Sequence, residues 1–328
     1  DFANAGLPQA LVVVPTRELC VQVAKDIEEL ASARGIRVLA VYGGKAFEPQ
    51  IEQLQSGVEI VVGTPGRLLD LYRQGQLKLN KVARLVLDEA DEMLDLGFLP
   101  DVEKIFTSTP IRQQTMLFSA TMPGDIIALA RRFMSQPVHI RTQDNDDESA
   151  VVSRVEQHVL RAHALDKIEM LARILQAQNR GPTMVFCRTK RTCQKTADDL
   201  LERGFRAAAI HGDLGQSARE RALSDFKAGK SDVLVATDVA ARGIDIEGIT
   251  HVINYQCPED GKTYVHRIGR TARAGAHGIG VTFVDWDDMT RWSLINQSLK
   301  LGLDEPVETY SSSDHLFTSM RIPVGSTG

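Results

Sequence analysis

The chain has 328 residues, 43% hydrophobic and 25% charged, which is typical of globular proteins and long enough for two ordinary domains. No apolar run reaches the ~18–20 residues of a membrane span, and the sequence predicts neither a membrane segment nor secretion. A net charge of −5 excludes a protein that coats nucleic acid by bulk positive charge, so such a substrate would need a local groove. The four cysteines lack metal-binding spacing, which predicts reduced thiols in a cytoplasmic protein.

Short β-branched apolar runs alternate with longer amphipathic stretches along the chain. The predicted strands of the first half are Leu11–Val14, Val38–Val41, Glu59–Val62, Arg84–Leu87 and Thr115–Phe118, with helices such as Glu18–Ala33 and Asp125–Phe133. The predicted strands of the second half are Thr183–Phe186, Ala207–Ile210, Asp232–Val235, His251–Asn254 and Gly280–Phe283. This alternation predicts an α/β fold in which mainly parallel sheets are flanked by helices.

The second half of the sequence repeats the first. Thr16 and Thr189 are 173 residues apart, and so are Thr64 and Thr237. Such self-similarity predicts two related domains. We assign residues 1–140 to the first domain, 154–303 to the second and 304–328, which are rich in Ser and Thr, to a tail. The polar, acidic residues 141–153 are expected to be a linker, with a long surface loop inside one domain as the alternative.

Two carboxylates, Asp88 and Glu89, directly follow an apolar strand. Ligands of parallel sheets bind at the carboxyl ends of strands, so this pair is placed where a nucleotide site would form. One carboxylate, Asp88, could hold Mg²⁺ through water, and its neighbour could orient the attacking water. The alternative is a pair of solvated acids that open a helix and are favoured by its dipole.

Three arginines recur at three-residue spacing in the stretch YVHRIGRTAR: Arg267, Arg270 and Arg273. On a helix, Arg267 and Arg270 would project from one face. A guanidinium matches the geometry of a phosphate and stabilises charge that develops on it. A solvated basic helix face is the alternative, but the glycines of this stretch make it a poor generic surface helix.

These motifs occur together in a fixed order. In sequence they are PTREL (Pro15–Leu19), GG (Gly43 and Gly44), TPGR (Thr64–Arg67), DEAD (Asp88–Asp91), SAT (Ser119–Thr121), VFCRT (Val185–Thr189), QxxR (Gln216–Arg219), ATDVAARGID (Ala236–Asp245) and HRIGRTAR (His266–Arg273). From Leu11 to about Leu301 the chain resembles the DEAD-box RNA helicases of superfamily 2. The resemblance implies two tandem RecA-like domains, with ATP and Mg²⁺ as cofactors and RNA as partner.

The resemblance also implies a role for individual residues. Catalysis would use Asp88, which also holds the metal, with Glu89 and two arginine fingers, Arg267 and Arg270. Nucleotide binding would involve Gly243, Asp245, Arg267 and Arg270, and coupling to domain closure would involve Asp91, Ser119, Thr121 and His266. RNA would be held by Thr16, Arg17, Gly44, Thr64, Gly66, Arg67, Arg188, Gly212 and Thr237. Contacts of this kind engage the backbone without reading sequence, and 2′-hydroxyl contacts would favour RNA over DNA.

One part of the family's pattern does not occur in these 328 residues. The family places an adenine-reading glutamine segment and a GxxxxGK[ST] loop before PTREL, and no GK[ST] triplet is present. That loop supplies the phosphate cradle, a lysine and a Mg²⁺ ligand. We therefore expect a first domain that is incomplete on its N-terminal side, through truncation or through natural loss, and a chain that hydrolyses ATP poorly.

Three functions compete on the sequence alone. The leading hypothesis is an RNA-dependent ATPase that clamps RNA and locally melts short duplexes through ATP binding and hydrolysis between its domains. The second is a non-catalytic RNA-binding or partner-docking module, which the missing loop favours. The third is a DNA translocase of the same superfamily.

Overall fold

The computed structural model describes residues 6–140, 152–244, 246–271 and 278–326. It divides into two compact units, one mainly of residues 1–141 and the other mainly of residues 142–328. Most of the predicted linker, Asp245 and Arg273 lie outside the described residues. Within the described ranges, no helix is long and apolar enough to cross a membrane.

The first domain alternates strands and helices. Its strands are β1 (Ala10–Val13), β2 (Val38–Val41), β3 (Ile60–Gly63), β4 (Arg84–Leu87) and β5 (Gln114–Leu117). Its helices are α1 (Arg17–Ala31), α2 (Glu48–Ser56), α3 (Pro65–Arg73), α4 (Ala90–Asp95), α5 (Leu99–Ser108) and α6 (Gly124–Phe133). The strands form a parallel sheet in the order β2-β3-β1-β4-β5. All five predicted strands are confirmed, each to within one residue.

The central strand β1 is buried on both faces. Leu11 and Val13 belong to one core cluster, whereas Val12 and Val14 belong to another on the opposite face. A parallel strand covered by helices on both sides needs such an unbroken apolar run. The first polar residues after the run therefore emerge at the carboxyl end of the sheet.

The second domain repeats this plan with a wider sheet. Its strands are β6 (Val155–Ala162), β7 (Thr183–Cys187), β8 (Ala207–Ile210), β9 (Val233–Thr237), β10 (His251–Asn254), β11 (Gly278–Val284) and β12 (Val307–Thr309). Its helices are α7 (Lys167–Ile174), α8 (Lys190–Glu202), α9 (Gln216–Lys227), α10 (Asp238–Ala241), α11 (Gly261–Ile268), α12 (Met289–Leu299) and α13 (Asp314–Ser319). The order of the parallel strands is β12-β6-β11-β10-β7-β9-β8. The five predicted strands are confirmed, and β6 and β12 are additional.

The segment predicted to be a tail is part of the second domain. Strand β12 pairs with β6, and α13 follows it. Leu316, Met320 and Ile322 are all buried in the main core of the domain. The prediction was wrong because these few apolar side chains are enough to dock the segment, although polar residues outnumber them.

The repeat extends to hydrogen bonds in the cores. The thiol of Cys20 on α1 donates to the carbonyl oxygen of Val62 at 3.2 Å. The thiol of Cys193 on α8 donates to that of Val235, also at 3.2 Å. Both members of the second pair lie 173 residues after those of the first, the same offset as between the repeated threonines. The two domains therefore share this contact between the first helix and the sheet as well as their alternation of elements.

Candidate functional site

The acid pair lies at the carboxyl end of β4. Asp88 is half-buried and accepts a hydrogen bond from the backbone N–H of Glu89 at 3.0 Å. Burial raises the pKa of Asp88 above its usual range, and this hydrogen bond only partly opposes the shift. A half-buried carboxylate of this kind gains from a nearby cation, so its surroundings fit a Mg²⁺ site. A single protein carboxylate also suits Mg²⁺, which keeps most of its water.

Glu89 adopts an uncommon backbone conformation. Its φ of 51° and ψ of 52° lie in the left-handed region, which residues other than glycine rarely occupy. Such strain costs about 1–3 kcal/mol and concentrates at functional sites. The sharp turn lets the chain pass from β4 directly into α4 while it places two carboxylates side by side.

A hydrogen-bond network connects Asp91, at the start of α4, to the loop after β5. Asp91 is 6% exposed, and its Oδ2 accepts from both the backbone N–H of Thr121 at 3.0 Å and the Thr121 hydroxyl at 2.7 Å. The backbone N–H of Asp91 donates to Ser119 Oγ at 3.1 Å, and that hydroxyl donates to the Thr121 carbonyl at 2.6 Å. Three of the predicted coupling residues are thus in direct contact. These hydrogen bonds tie the start of α4 to the loop after β5.

The RNA-binding residues predicted in the first domain follow three adjacent strands. Thr16 caps α1 by accepting from the N–H of Leu19 at 3.3 Å, and Thr64 is the N-cap residue of α3. The end of β2 lies at the same edge of the sheet, and the exposed Gly44 that follows it has a φ of +84°. Helix N-termini and exposed backbone at one sheet edge are suited to phosphates. The arginine of the PTREL motif, Arg17, packs beside Gly43.

Arg67, one of the predicted RNA-binding residues, is buried and packs against the loop after β2. It is 9% exposed, its Nη2 donates to the Lys45 carbonyl at 2.9 Å, and its guanidinium carbon lies 3.9 Å from the ring centroid of Phe47. Burial lowers its pKa. Arg67 therefore braces the loop that carries Gly44.

In the second domain, the predicted RNA-binding residues end the adjacent strands β7, β9 and β8. Thr237 is the N-cap residue of α10, and Gly212 is exposed after β8. Arg188 makes a bidentate ion pair with the buried Asp288 at 3.1 and 3.2 Å, and its backbone N–H donates to Gln256 Oε1 at 2.9 Å. The order of strands brings these residues to one edge of the sheet. The side chain of Arg188, however, is paired with Asp288 inside the domain.

Arg267, predicted to be an arginine finger, is buried inside the second domain. Its side chain is 1% exposed, and its Nε and Nη2 donate to the two carboxylate oxygens of Asp238 at 2.6 and 2.7 Å. Its Nη1 donates to Asn254 Oδ1 and to the Gln256 carbonyl. A guanidinium so enclosed joins α11 to the start of α10, and these contacts differ from those expected of an arginine finger. Asp238, the acidic partner that a buried arginine requires, was not among the predicted site residues.

The other residues of this motif differ from Arg267. His266 is exposed at the end of α11, and Arg270 is half-buried just beyond it. Gly243, predicted at the nucleotide, has a φ of +67° that favours glycine. Arg270 is thus the described arginine of this motif that retains access to solvent.

The fold and these motifs define a protein with two tandem RecA-like domains. The DEAD/DEAH box helicase family matches residues 3–129, and the helicase conserved C-terminal domain matches residues 166–275. The crystal structure of a DEAD box protein from Methanococcus jannaschii is 41% identical and covers 90% of this chain and 79% of that one, with a TM-score of 0.50. Saccharomyces cerevisiae Dbp5 bound to RNA and ADP BeF3 is 29% identical over 96% of this chain and 81% of that one, with a TM-score of 0.80.

Curated relatives agree with these matches. The ATP-dependent RNA helicase CshA of Listeria monocytogenes is 47% identical over 96% of this chain, and the DEAD-box ATP-dependent RNA helicase CshA of Bacillus subtilis is 44% identical over 92%. The chain spans 60% of the length of each of these two proteins. The chain therefore belongs to the DEAD-box helicase family.

Proposed function

We propose that this chain is the RNA-clamping motor of an ATP-dependent RNA helicase. The observation that carries the proposal is the network of Asp91, Ser119 and Thr121, because it joins the start of α4, directly after the acid pair, to a second loop of the same domain. Phosphoryl-transfer enzymes depend on positioning and on charge stabilisation, so a motor must couple its acids to a movable element. A passive binding module would have no use for this coupling.

The catalytic roles follow from the accessible groups. Bound Mg²⁺ would neutralise the charge of the phosphates, and Asp88 would hold it through water. Glu89 would orient the attacking water, and Arg270 would stabilise charge on the transferred phosphate. Arg267 would position this segment through Asp238, at 2.6 Å, without touching the nucleotide.

RNA binding would rely on backbone and hydroxyl contacts at the carboxyl edges of both sheets. The helix N-termini at Thr16 and Thr64 and the exposed loop at Gly44 support this proposal in an acidic protein, because a few oriented donors can hold phosphates without a strong positive field. Arg17 adds a cation beside them.

Gly66 provides the sharpest test of this interface. It is the second residue of α3, and a Cβ there would meet no atom within 4 Å, so Gly66→Asp places a carboxylate at the proposed phosphate site without a clash. We expect at least a tenfold loss of affinity for a fluorescent single-stranded RNA, measured by anisotropy. The matched control is Gly124→Asp, also in the first turn of a helix with open space around it. Equal affinity of the two variants would contradict the proposal.

The ATPase activity of this chain alone is a separate proposal. Since no GK[ST] triplet occurs in its sequence, we propose that it binds RNA but releases phosphate at a rate close to that of its Glu89→Gln variant. Phosphate release would be measured with RNA, with DNA and without nucleic acid. RNA-stimulated turnover on the order of 1 s⁻¹ would contradict this deficiency, although not the helicase function. Stronger binding of DNA than of RNA would favour a DNA translocase.

A further inference from the structure

A row of four side chains, three exposed and one half-buried, crosses three strands of the second domain. This row, here called the aromatic strip, consists of Trp286, Arg161, Glu308 and Tyr310. Glu308 lies opposite Arg161 in the pairing of β12 with β6, and Trp286 and Tyr310 follow the carboxyl ends of β11 and β12. The catalytic and RNA-binding roles proposed above involve none of these residues.

The four side chains hold one another in place. Arg161 Nη2 donates to Glu308 Oε2 at 3.0 Å, and the guanidinium carbon lies 4.5 Å from the ring centroid of Trp286. The hydroxyl of Tyr310 donates to the other oxygen of Glu308 at 3.2 Å. Because these four side chains are already ordered, they lose little conformational entropy when a partner binds.

The strip nevertheless remains open to solvent. Trp286 is 62% exposed even with Arg161 against it, and Tyr310 is 47% exposed. Leu165, which follows β6 between them in the sheet order, is 86% exposed. Trp, Tyr and Arg are the residues that contribute most to binding energy at protein interfaces. Their arrangement here indicates a docking surface.

The charge around the aromatic strip indicates which class of partner can bind there. The strip and the residues beside it carry the cations Arg161 and Lys167 and the carboxylates Asp166, Asp285, Asp287 and Glu308. Lys167 is neutralised by Asp285 at 2.6 Å, and Arg161 by Glu308. The excess negative charge repels nucleic-acid phosphates, and it also opposes a symmetric contact with a second copy, which would bring two acidic surfaces together.

We propose that the aromatic strip binds a basic protein segment that inserts two apolar side chains against Trp286 and Tyr310. These two anchors are separated by one intervening strand, which corresponds to about 10 Å. A polyproline II segment places residues three positions apart on one face and about 9 Å from each other. Flanking lysines or arginines would then lie near Asp166 and Asp287.

Tryptophan fluorescence gives a direct test, because the chain has two tryptophans and the other, Trp292, is fully buried. The probe is the peptide KLPPLK, and ELPPLE is its acidic counterpart. We expect KLPPLK to change the emission of the intact chain saturably, with at least tenfold higher affinity than ELPPLE and weaker binding at higher salt. Equal responses to both peptides would overturn the proposal, as would no response to either.

Two variants and two other ligands complete the experiment. By calorimetry, Trp286→Ala should weaken KLPPLK binding at least fivefold, whereas Leu294→Ala, at another exposed apolar residue (64% exposed), should leave it unchanged. A loss in both variants or in neither would contradict the assignment. Quenching of Trp286 by oligouridylate would instead make the strip an RNA-stacking surface. Quenching that grows with protein concentration alone would make it a self-association surface.

Discussion

Arg267 and Arg270, the two described arginines of the HRIGRTAR motif, differ in burial, and this difference predicts unequal effects of substitution on stability. Arg267→Ala would leave Asp238 without its partner in a partly buried position, and we expect a loss of about 3 kcal/mol in the free energy of unfolding. Arg270→Ala should change it by less than about 1 kcal/mol. Urea unfolding of the two variants measures both quantities.

A double variant tests whether the ion pair itself is the cause. Arg267→Met combined with Asp238→Leu removes both charges, and replacement of a buried pair by apolar residues is often neutral. The double variant should therefore recover much of the stability that Arg267→Ala loses. A double variant as unstable as the single one would show that Arg267 acts through its packing and its bonds to Asn254 and Gln256.

Asp88 should lower the stability of the first domain at neutral pH. Its pKa is raised by burial, so the folded state holds this proton more tightly than the unfolded state, whose carboxyl titrates near ~3.9. Below that pH the carboxyl of Asp88 is protonated in both states and does not oppose folding. As pH rises through the folded pKa, the buried carboxyl must ionise, and the free energy of unfolding falls. Asp88→Asn should thus be more stable than the parent at pH 7, with the difference vanishing toward pH 4.

Denaturant unfolding between pH 4 and pH 8 checks this pH dependence. The control is Asp26→Asn, at an exposed position of α1. A gain in stability that does not vary with pH would show that the amide introduced by Asp88→Asn acts through hydrogen bonding, and that loss of the charge is not the cause. The expected gain would agree with the catalytic role proposed for Asp88, since carboxylates kept for catalysis are often costly to the fold.

Residue spacing predicted which side chains lie at the ends of strands better than it predicted their contacts. The positions of Asp88, Asp91 and Thr121 at strand ends were visible in the sequence, because a parallel sheet brings carboxyl ends to one edge. The spacing of Arg267 and Arg270 fixed only their separation along a helix. Which of them is buried depends on Asp238, an acid 29 positions away whose contact no local pattern encodes.

At the scale of elements, docking of the last helix should be essential to the second domain. Leu316 on α13 is fully buried, so Leu316→Ala should lower the free energy of unfolding by about 3 kcal/mol through lost contacts and a new cavity. Val324→Ala is the control, because Val324 lies in the same segment and is fully exposed. Equal urea midpoints for the two variants would mean that residues 304–326 behave as the tail that the sequence predicted.

The two strands that the sequence did not predict, β6 and β12, were missed for the same physical reason. Strand β6 carries polar residues, such as Glu156 and Arg161, among its apolar ones, and β12 has only three residues. Their pairing in the sheet depends on contacts between distant segments, which local patterns do not reveal. The fully buried strands, by contrast, were found to within a few residues, because burial on both faces requires an unbroken apolar run.

At the scale of the whole molecule, each domain has its own core, and its cysteines can report on that core separately. Burial raises the pKa of Cys20, Cys187, Cys193 and Cys257 to about 12. All four thiols are buried in the folded chain, and they should react slowly with a thiol reagent at pH 8. Unfolding returns them to water and to an ordinary pKa of ~8.5, so each becomes reactive when its own domain opens.

We therefore expect the two domains to show separate unfolding transitions. In a urea series with a short pulse of thiol reagent, mass spectrometry of peptides gives a labelling midpoint for each cysteine. Leu316→Ala should move the midpoints of Cys187, Cys193 and Cys257 to lower urea and leave that of Cys20 unchanged, because Cys20 belongs to the core of the first domain. If all four midpoints moved together, the chain would unfold as one cooperative unit, and its two cores would not be energetically independent.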